Sequence, residues 1–340
     1  MITIAVDAMG SDLYPKADVE GAVLAAKEYH VNIILVGDES LIKPELEKYD
    51  TSKLDIMVVH APEILCMDDK GLSLVLKARR PNSKNSMAVG LDLVKEGKAS
   101  AFVTAGNTGA ASVSAYFRLG TIPGVDRPAL APVFPTAKGF CIVLDVGANP
   151  DVKPINILQF AIMGKIYAEK VRNISNPTIG IISNGEEAGK GNQLVKDSYP
   201  LLVSSNLNFI GNVEGKEVLG GEVDVAVTDG FTGNVMLKTS EAVAKFLIDK
   251  IKESIKSGGL AANIGGLLIK KSMGSIKKLM DPSEEGAAPL LGINGLVFIG
   301  HGRSNAIAIK NAIRIAKQAS ESGVLESIRD TLEESLEIKD

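Results

Sequence analysis

Apolar residues along this chain alternate between short β-branched runs and longer amphipathic stretches. Ile2–Val6, Asn32–Val36 and Asp55–Val59 are short and bounded by Gly, Asp or Asn, which predicts strands. Lys16–Tyr29 and Leu41–Lys48 lie between them with helical spacing. Leu72–Arg79 and Met87–Glu96 follow as helices, separated by the break Pro81-Asn82-Ser83. Ala101-Phe102-Val103 is a buried strand, and Ala110–Leu119 restarts a helix. Pro123, Pro128, Pro132 and Pro135 interrupt Thr121–Thr136, which predicts edge strand and loop. Further strands are expected at Phe140–Val146, Thr178–Ile182, Leu207–Val213, Asp224–Val227 and Gly295–Ile299. Helices are expected from Pro154 to about Arg172, from Val235 to about Lys256, and over Ala306–Ser320 and Leu325–Glu337. Strands separated by helices imply βαβ units and a mostly parallel sheet in an α/β fold. No repeat of fixed period or low-complexity linker divides the chain. Residues 1–340 therefore read as one unit, with two lobes sharing a cleft as the variant of that reading.

The polar positions gather where strands end. Asp7-Ala8-Met9-Gly10-Ser11-Asp12, Thr104-Ala105-Gly106-Asn107-Thr108-Gly109, Asp145-Val146-Gly147-Ala148-Asn149, Ser183–Gly191 (containing Gly185 and Lys190) and Thr228-Asp229-Gly230-Phe231-Thr232-Gly233-Asn234 share one punctuation: Asp or Asn with glycine. A strand, a glycine-rich turn and a helix start expose backbone N–H groups at the carboxyl edge of a sheet, a geometry that receives anions. One such turn is equally a tight turn in which glycine supplies only unusual φ values. Several on successive βα units point to a ligand bearing phosphate or carboxylate.

Composition narrows the field. The chain has 340 residues, 45% hydrophobic and 23% charged, enough for a large core. A net charge of -4 and 4% aromatic residues without tryptophan argue against nucleic-acid binding. Cys66 and Cys141 lie among apolar neighbours and read as reduced core residues, which fits a cytoplasmic protein. The first residues form a strand and lack a basic leader, and no apolar run is long enough to span a bilayer. Known fingerprints are missing. There is no G-x-G-x-x-G, no H-E-x-x-H or paired cysteine spacing, and no G-x-S-x-G. Gly189-Lys190 only superficially resembles a Walker A loop, because Asn184 and Gly191 occupy its other key positions. No metal and no cofactor is expected.

Individual side chains carry two readings each. Asp229 orients a reacting group or bonds its own turn. Asn107 and Asn234 support an oxyanion or belong to turn chemistry. Lys190, a cation between glycines, meets an anion or is a solvated surface lysine. His301 acts as an acid or anion ligand, or is a loop histidine; His30 and His60 read as structural. Arg79, Arg80 and Lys84 form a basic cluster that meets an acidic partner or is a solvated face. Ser257–Met280 sets Leu260, Ile264, Leu267 and Leu268 beside Lys270 and Lys271, which suits an anionic bilayer surface or a dimer contact.

Taken together, VDAMGSD (Val6–Asp12), AGNTGA (Ala105–Ala110), IPGVDRPAL (Ile122–Leu130), LDVGAN (Leu144–Asn149), NGEEAGKGN (Asn184–Asn192), DGFTGNVMLKT (Asp229–Thr239) and HGRSN (His301–Asn305) resemble the PlsX-type phosphate acyltransferases of bacterial phospholipid synthesis. The match covers almost the whole chain in the family's order. Ser11 stands where the family usually has a second glycine, Val152 where many members carry cysteine, and Ile299 where a lysine is frequent. Pro81 interrupts the family's basic stretch. The resemblance implies a three-layer α/β/α sandwich like isopropylmalate dehydrogenase and phosphotransacetylase, and a homodimer. It also implies acyl transfer from acyl-carrier protein to inorganic phosphate, without a protein nucleophile. The acyl-phosphate product would serve a membrane glycerol-3-phosphate acyltransferase, which suits peripheral membrane association. On this reading phosphate is held by the N–H groups of Gly106–Gly109 with Lys190 as counter-charge. Asp7, Gly10, Thr108, Asn149 and Gly185 join the binding site. Alternatives from other classes are a phosphotransacetylase-like enzyme using short acyl-CoA and a non-catalytic scaffold for the carrier protein.

Overall fold

The computed structural model describes residues 1–65, 69, 71–80, 82–259, 262–265, 268, 269, 274 and 281–337. The strands are β1 (Thr3–Asp7), β2 (Asn32–Gly37), β3 (Ile56–His60), β4 (Ala101–Thr104), β5 (Ala129–Leu130), β6 (Val133–Thr136), β7 (Gly139–Leu144), β8 (Ile179–Ile182), β9 (Phe209–Val213), β10 (Val225–Val227), β11 (Ala287–Leu291) and β12 (Leu296–Gly300). The helices are α1 (Lys16–Tyr29), α2 (Glu39–Leu46), α3 (Gly71–Arg79), α4 (Ser86–Lys95), α5 (Thr108–Leu119), α6 (Pro154–Lys170), α7 (Gln193–Val203), α8 (Gly215–Gly220), α9 (Gly230–Ser257), α10 (Ala306–Ser322) and α11 (Val324–Glu337).

The expected parallel sheet is in fact two sheets. One has seven strands in the order β3-β2-β1-β4-β12-β11-β5, the other five in the order β6-β7-β10-β8-β9. Pairing is parallel from β3 to β12 and again from β7 to β9. The antiparallel pairs are β12–β11, β11–β5 and β6–β7. Each parallel set is hydrophobic on both faces because helices cover both, so its strands read as continuous apolar runs. The proline-rich stretch contributes β5 to an edge of the larger sheet and β6 to an edge of the smaller one. Proline lacks the N–H that an interior strand must donate.

One core joins the sheets. Ile4, Val6 and Val103 of the larger sheet share a buried cluster with Ile142, Leu144, Ile181 and Val225 of the smaller one. Phe160 and Tyr167 of α6 are fully buried in the same cluster. A second cluster places Ala110, Ala111 and Ala115 of α5 against Phe102 and Leu130, with Ala148 packed on it. The turn after β7 is thereby carried onto the α5 side of the larger sheet.

Three elements were not marked by the pattern. α7 contains Pro200, α8 spans six residues, and β11 is Ala-Ala-Pro-Leu-Leu, without a β-branched residue. The turn Asp229–Asn234 is helical, because α9 begins at Gly230. Cys141 is buried with a free thiol; Cys66 lies outside the described residues, as do Leu260, Leu267, Lys270 and Lys271.

Candidate active site

The strand-end turns form two groups. At the larger sheet, the Asp7 carboxylate ends β1 fully buried and accepts from the Thr104 hydroxyl at 2.7 Å and the Met9 N–H at 3.1 Å. Thr104 Oγ1 in turn accepts from the Gly106 N–H at 3.0 Å. Gly10 closes this knot. A Cβ there would stand 2.9 Å from each of Asp7 Oδ2, Thr104 Oγ1 and the Gly106 nitrogen, so only glycine fits. Burial raises the Asp7 pKa, opposed by hydrogen bonds from Thr104, Ser86 and Met9. Behind the knot, Ser11 Oγ donates to Asp18 Oδ2 at 2.7 Å. Asp18 is buried, its other oxygen has no partner among the described residues, and desolvation pushes its pKa up to about 8. Ser11, the departure from the family pattern, thus anchors a buried carboxyl.

The knot corrects one expectation. The Gly106 N–H is spent on Thr104 and is not offered to an anion. Asn107 caps α5, accepting from the Ala110 N–H at 3.0 Å and donating to the Asp69 carbonyl at 3.2 Å. The N–H groups of Thr108 and Gly109, both exposed, remain as uncommitted donors among the described residues, as the first turn of any helix leaves them.

At the smaller sheet, Asp145 follows β7 with its carboxylate buried. Its Oδ1 accepts from the N–H of Leu130 at 2.9 Å and of Ala148 at 3.3 Å. Its Oδ2 accepts from the Asn149 N–H at 2.6 Å and the Asn149 amide at 3.0 Å. Burial raises its pKa and these bonds oppose the rise. Because Leu130 belongs to β5, Asp145 ties the turn of one sheet to an edge strand of the other. Asn149 is spent inside the turn: its side-chain amide donates to the Pro128 carbonyl at 2.6 Å and its backbone carbonyl accepts from the Gly230 N–H at 2.8 Å. α9 starts hard against this turn. A Cβ at Gly233 would overlap the Asp145 carbonyl oxygen, and Asn234 lies beside Gly147. Asp229 caps α9, accepting from the Thr232 N–H and hydroxyl at 2.8 Å each.

Asp229 also lines a cleft of about 510 Å³ between the carboxyl ends of β8 and β10, with Ser183, Asn184, Thr228 and Thr232 at its polar side. Asn184 folds the following loop by accepting from the Gly191 N–H at 2.9 Å. That loop carries Lys190, exposed and next in the chain to the cleft-lining Gly191, its aliphatic stem against the buried Gly185. No ion pair of the Lys190 ammonium occurs among the described residues.

Other predicted residues lie elsewhere. His301 is exposed, its Nδ1 accepting from the Arg303 N–H at 3.2 Å with the Arg303 guanidinium beside Nε2. Its loop touches the Asp7 knot through the Asp12 N–H, which donates to the Gly302 carbonyl at 2.7 Å. Arg79 stacks on Phe117 of α5 with 5.5 Å from guanidinium carbon to ring centre. Arg80 and Lys84 are exposed. Asp145, Thr104 and Asp18 were missed as candidates. The signal for Asp145 was present in the LDVGAN run, where an aspartate follows β7 much as Asp7 ends β1. Glu186, Glu214 and Glu217 bring three carboxylates together, but the Lys216 ammonium sits among them at 2.6, 3.1 and 3.5 Å.

Comparison with known proteins agrees with the motifs. Residues 2–327 match the model of the fatty acid synthesis protein family. The phosphate acyltransferase of Pelotomaculum thermopropionicum is 47% identical over 336 residues, covering 99% of this chain and 96% of the relative. That of Acidobacterium capsulatum is 48% identical over 322 residues, covering 94% of each. A phosphotransacetylase from Streptococcus pyogenes shares the fold with a TM-score of 0.63 at 15% identity, over 94% of both chains. The chain is an acyltransferase with the α/β architecture of that structure. It belongs to the PlsX-type phosphate acyltransferase family.

Proposed function

We propose that this protein transfers a fatty acyl group from an acyl-carrier protein thioester to inorganic phosphate, giving acyl phosphate and the free carrier thiol. The observation that supports the reading is the cleft beside Asp229, where apolar residues meet Ser183, Asn184, Asn192, Thr228 and Thr232, next to the loop that carries Lys190, with no cysteine or histidine among the described lining residues. The reaction needs none. A phosphate monoester's second pKa is about 6, so phosphate is largely dianionic at neutral pH, and a thiol with pKa near ~8.5 leaves without strong acid help. One phosphate oxygen bonds the acyl carbon, the C–S bond breaks, and the sulfur departs as thiolate. The protein supplies position and charge. In this reading Lys190 meets the phosphate. Thr108 and Gly109 offer free N–H groups from the α5 terminus, and Asn234 supports the oxyanion. Asp7, Gly10, Asn149 and Gly185 shape the turns.

The finer statements rest on surface. Arg79, Arg80 and Lys84, beside the exposed Leu72 and Leu76, suit an acidic carrier protein. α9 exposes Phe231, Val235, Val243, Phe246, Leu247 and Ile251, an apolar face that suits a second copy of the chain. Ile264 and Leu268 beyond it are exposed and suit a membrane surface. Among the described residues no helix is long and apolar enough to cross a bilayer, so association is peripheral in this reading. The test is acyl-carrier protein thioester with and without phosphate, the product trapped by hydroxylamine. Phosphate-dependent thioester loss with acyl phosphate formed is expected. Carrier binding without such loss would make the protein a scaffold, and turnover confined to short acyl-CoA would make it phosphotransacetylase-like.

A further inference from the structure

The cleft is larger and more apolar than phosphate requires. Ile182 from β8 and Leu194 from α7 are half-buried on its apolar side, with the buried Ile157, Ile181 and Val195 lining it behind them. At 510 Å³ the space falls in the range of pockets that enclose extended organic ligands. A polar anion alone would leave Ile182 and Leu194 partly facing water. Ser183 lines the cleft and its hydroxyl is buried without a partner among the described residues, and an unsatisfied buried hydroxyl carries a penalty that a ligand carbonyl would relieve.

We propose that this cleft is the acyl-chain subsite: the first methylenes of a linear acyl group lie on Ile182 and Leu194, and the thioester carbonyl oxygen accepts from Ser183. The proposal rests on the acyl-transfer reading and adds what that reading leaves open, the place and polarity of the chain. Chain selection then resides in α7, the helix that no known motif covers, while the strand-end turns handle the reacting groups. Leu194 is the tuning position, because it is half-buried and projects from the first turn of α7 into the cleft.

Two measurements test it. The first is kcat/KM for acyl thioesters from four to sixteen carbons with saturating phosphate. In the unaltered protein each early methylene raises it about fourfold, the transfer of one CH₂ out of water. Leu194→Phe fills the cleft and lowers the long-to-short ratio at least tenfold. Leu194→Ala widens it and moves the ratio upward, a direction that misfolding does not mimic. Ser183→Ala lowers turnover at every length alike and leaves the ratio unchanged. A ratio within twofold of the unaltered protein in both Leu194 variants, each melting as a folded protein, overturns the assignment. The second is direct binding of the hexadecyl thioether of pantetheine, which cannot react. Tenfold weaker binding to Leu194→Phe supports the subsite even where no turnover is seen, and equal binding rejects it. Failure of the unaltered protein to consume thioester with phosphate counts against the acyl-transfer reading alone.

Discussion

The two groups of strand-end turns use the same vocabulary to different ends. At the larger sheet Asp7, Gly10, Thr104 and Gly106 close on one another, so that the glycine serves close approach and the carboxylate is spent on neighbours. At the smaller sheet Asp145 and Asn149 seal the first turn in the same way, but the turns after β8 and β10 stay apart and leave a cleft. Asp229 caps its helix and still faces that cleft. The difference shows that Asp or Asn plus glycine after a strand specifies a tight turn, which in these groups caps a helix directly only at Asn107 and Asp229. Whether a ligand can enter depends on what the neighbouring turn does. A sealed turn fixes the scaffold, and an open one leaves room for a ligand.

The hardest test of this contrast is Gly233→Ala. The added methyl would run into the Asp145 carbonyl, so α9 must lift from the sealed turn. We expect destabilisation of about 3 kcal/mol, at the upper end for overpacking, together with near-complete loss of activity, read by thermal melting and acyl phosphate formation. A fully active variant melting normally would show that α9 is not seated on this turn.

Asp18→Asn probes the sealed group from the opposite side and should stabilise the protein. The folded pKa is pushed up to about 8 by desolvation, with the Asp7 charge adding to the rise, against an ordinary 3.8. Below about pH 4 both states hold the proton and the group is neutral to folding. As pH rises toward 8 the unfolded chain releases its proton while the folded one keeps it, so stability falls through that window. Asparagine keeps an acceptor for Ser11 and carries no such slope. The expected gain is on the order of 1–3 kcal/mol at pH 8 and vanishes near pH 4, as chemical denaturation at the two pH values would reveal. An equal gain at both would mean that the charge plays no part.

Lys190→Ala acts at the open group and should leave stability untouched. With its cation gone from the loop beside the cleft, the KM for phosphate should rise about tenfold, roughly 1.4 kcal/mol of lost anion binding, while a KM that does not move would remove Lys190 from the reaction.

The finest distinction is between the two duties of Asp229. Asp229→Ala loses the cap and should destabilise by about 1 kcal/mol. Asp229→Ser restores a cap without restoring a carboxylate. If Ser recovers melting temperature but not turnover, the carboxylate serves the site. Recovery of both would confine Asp229 to holding α9.

Much of this was legible in the residues because it is local. Strand and helix positions follow from apolar periodicity over a few residues, and α1 spans Lys16–Tyr29 as its spacing predicts. The motifs place the chain in its family along nearly its whole length. What the turns do was not legible. Nothing in LDVGAN says that its aspartate accepts from Leu130 of the other sheet, and nothing in TAGNTG says that the Gly106 N–H is taken by Thr104. α7 was overlooked because Pro200 breaks its pattern, yet it builds one wall of the cleft. The amino-acid order by itself determined the elements, their alternation and the class of chemistry, since these depend on neighbours within a turn or two. Tertiary structure alone decided that the strands part into two sheets, which turns close and which stay open, because those outcomes depend on hydrogen bonds and packing between residues far apart in the chain.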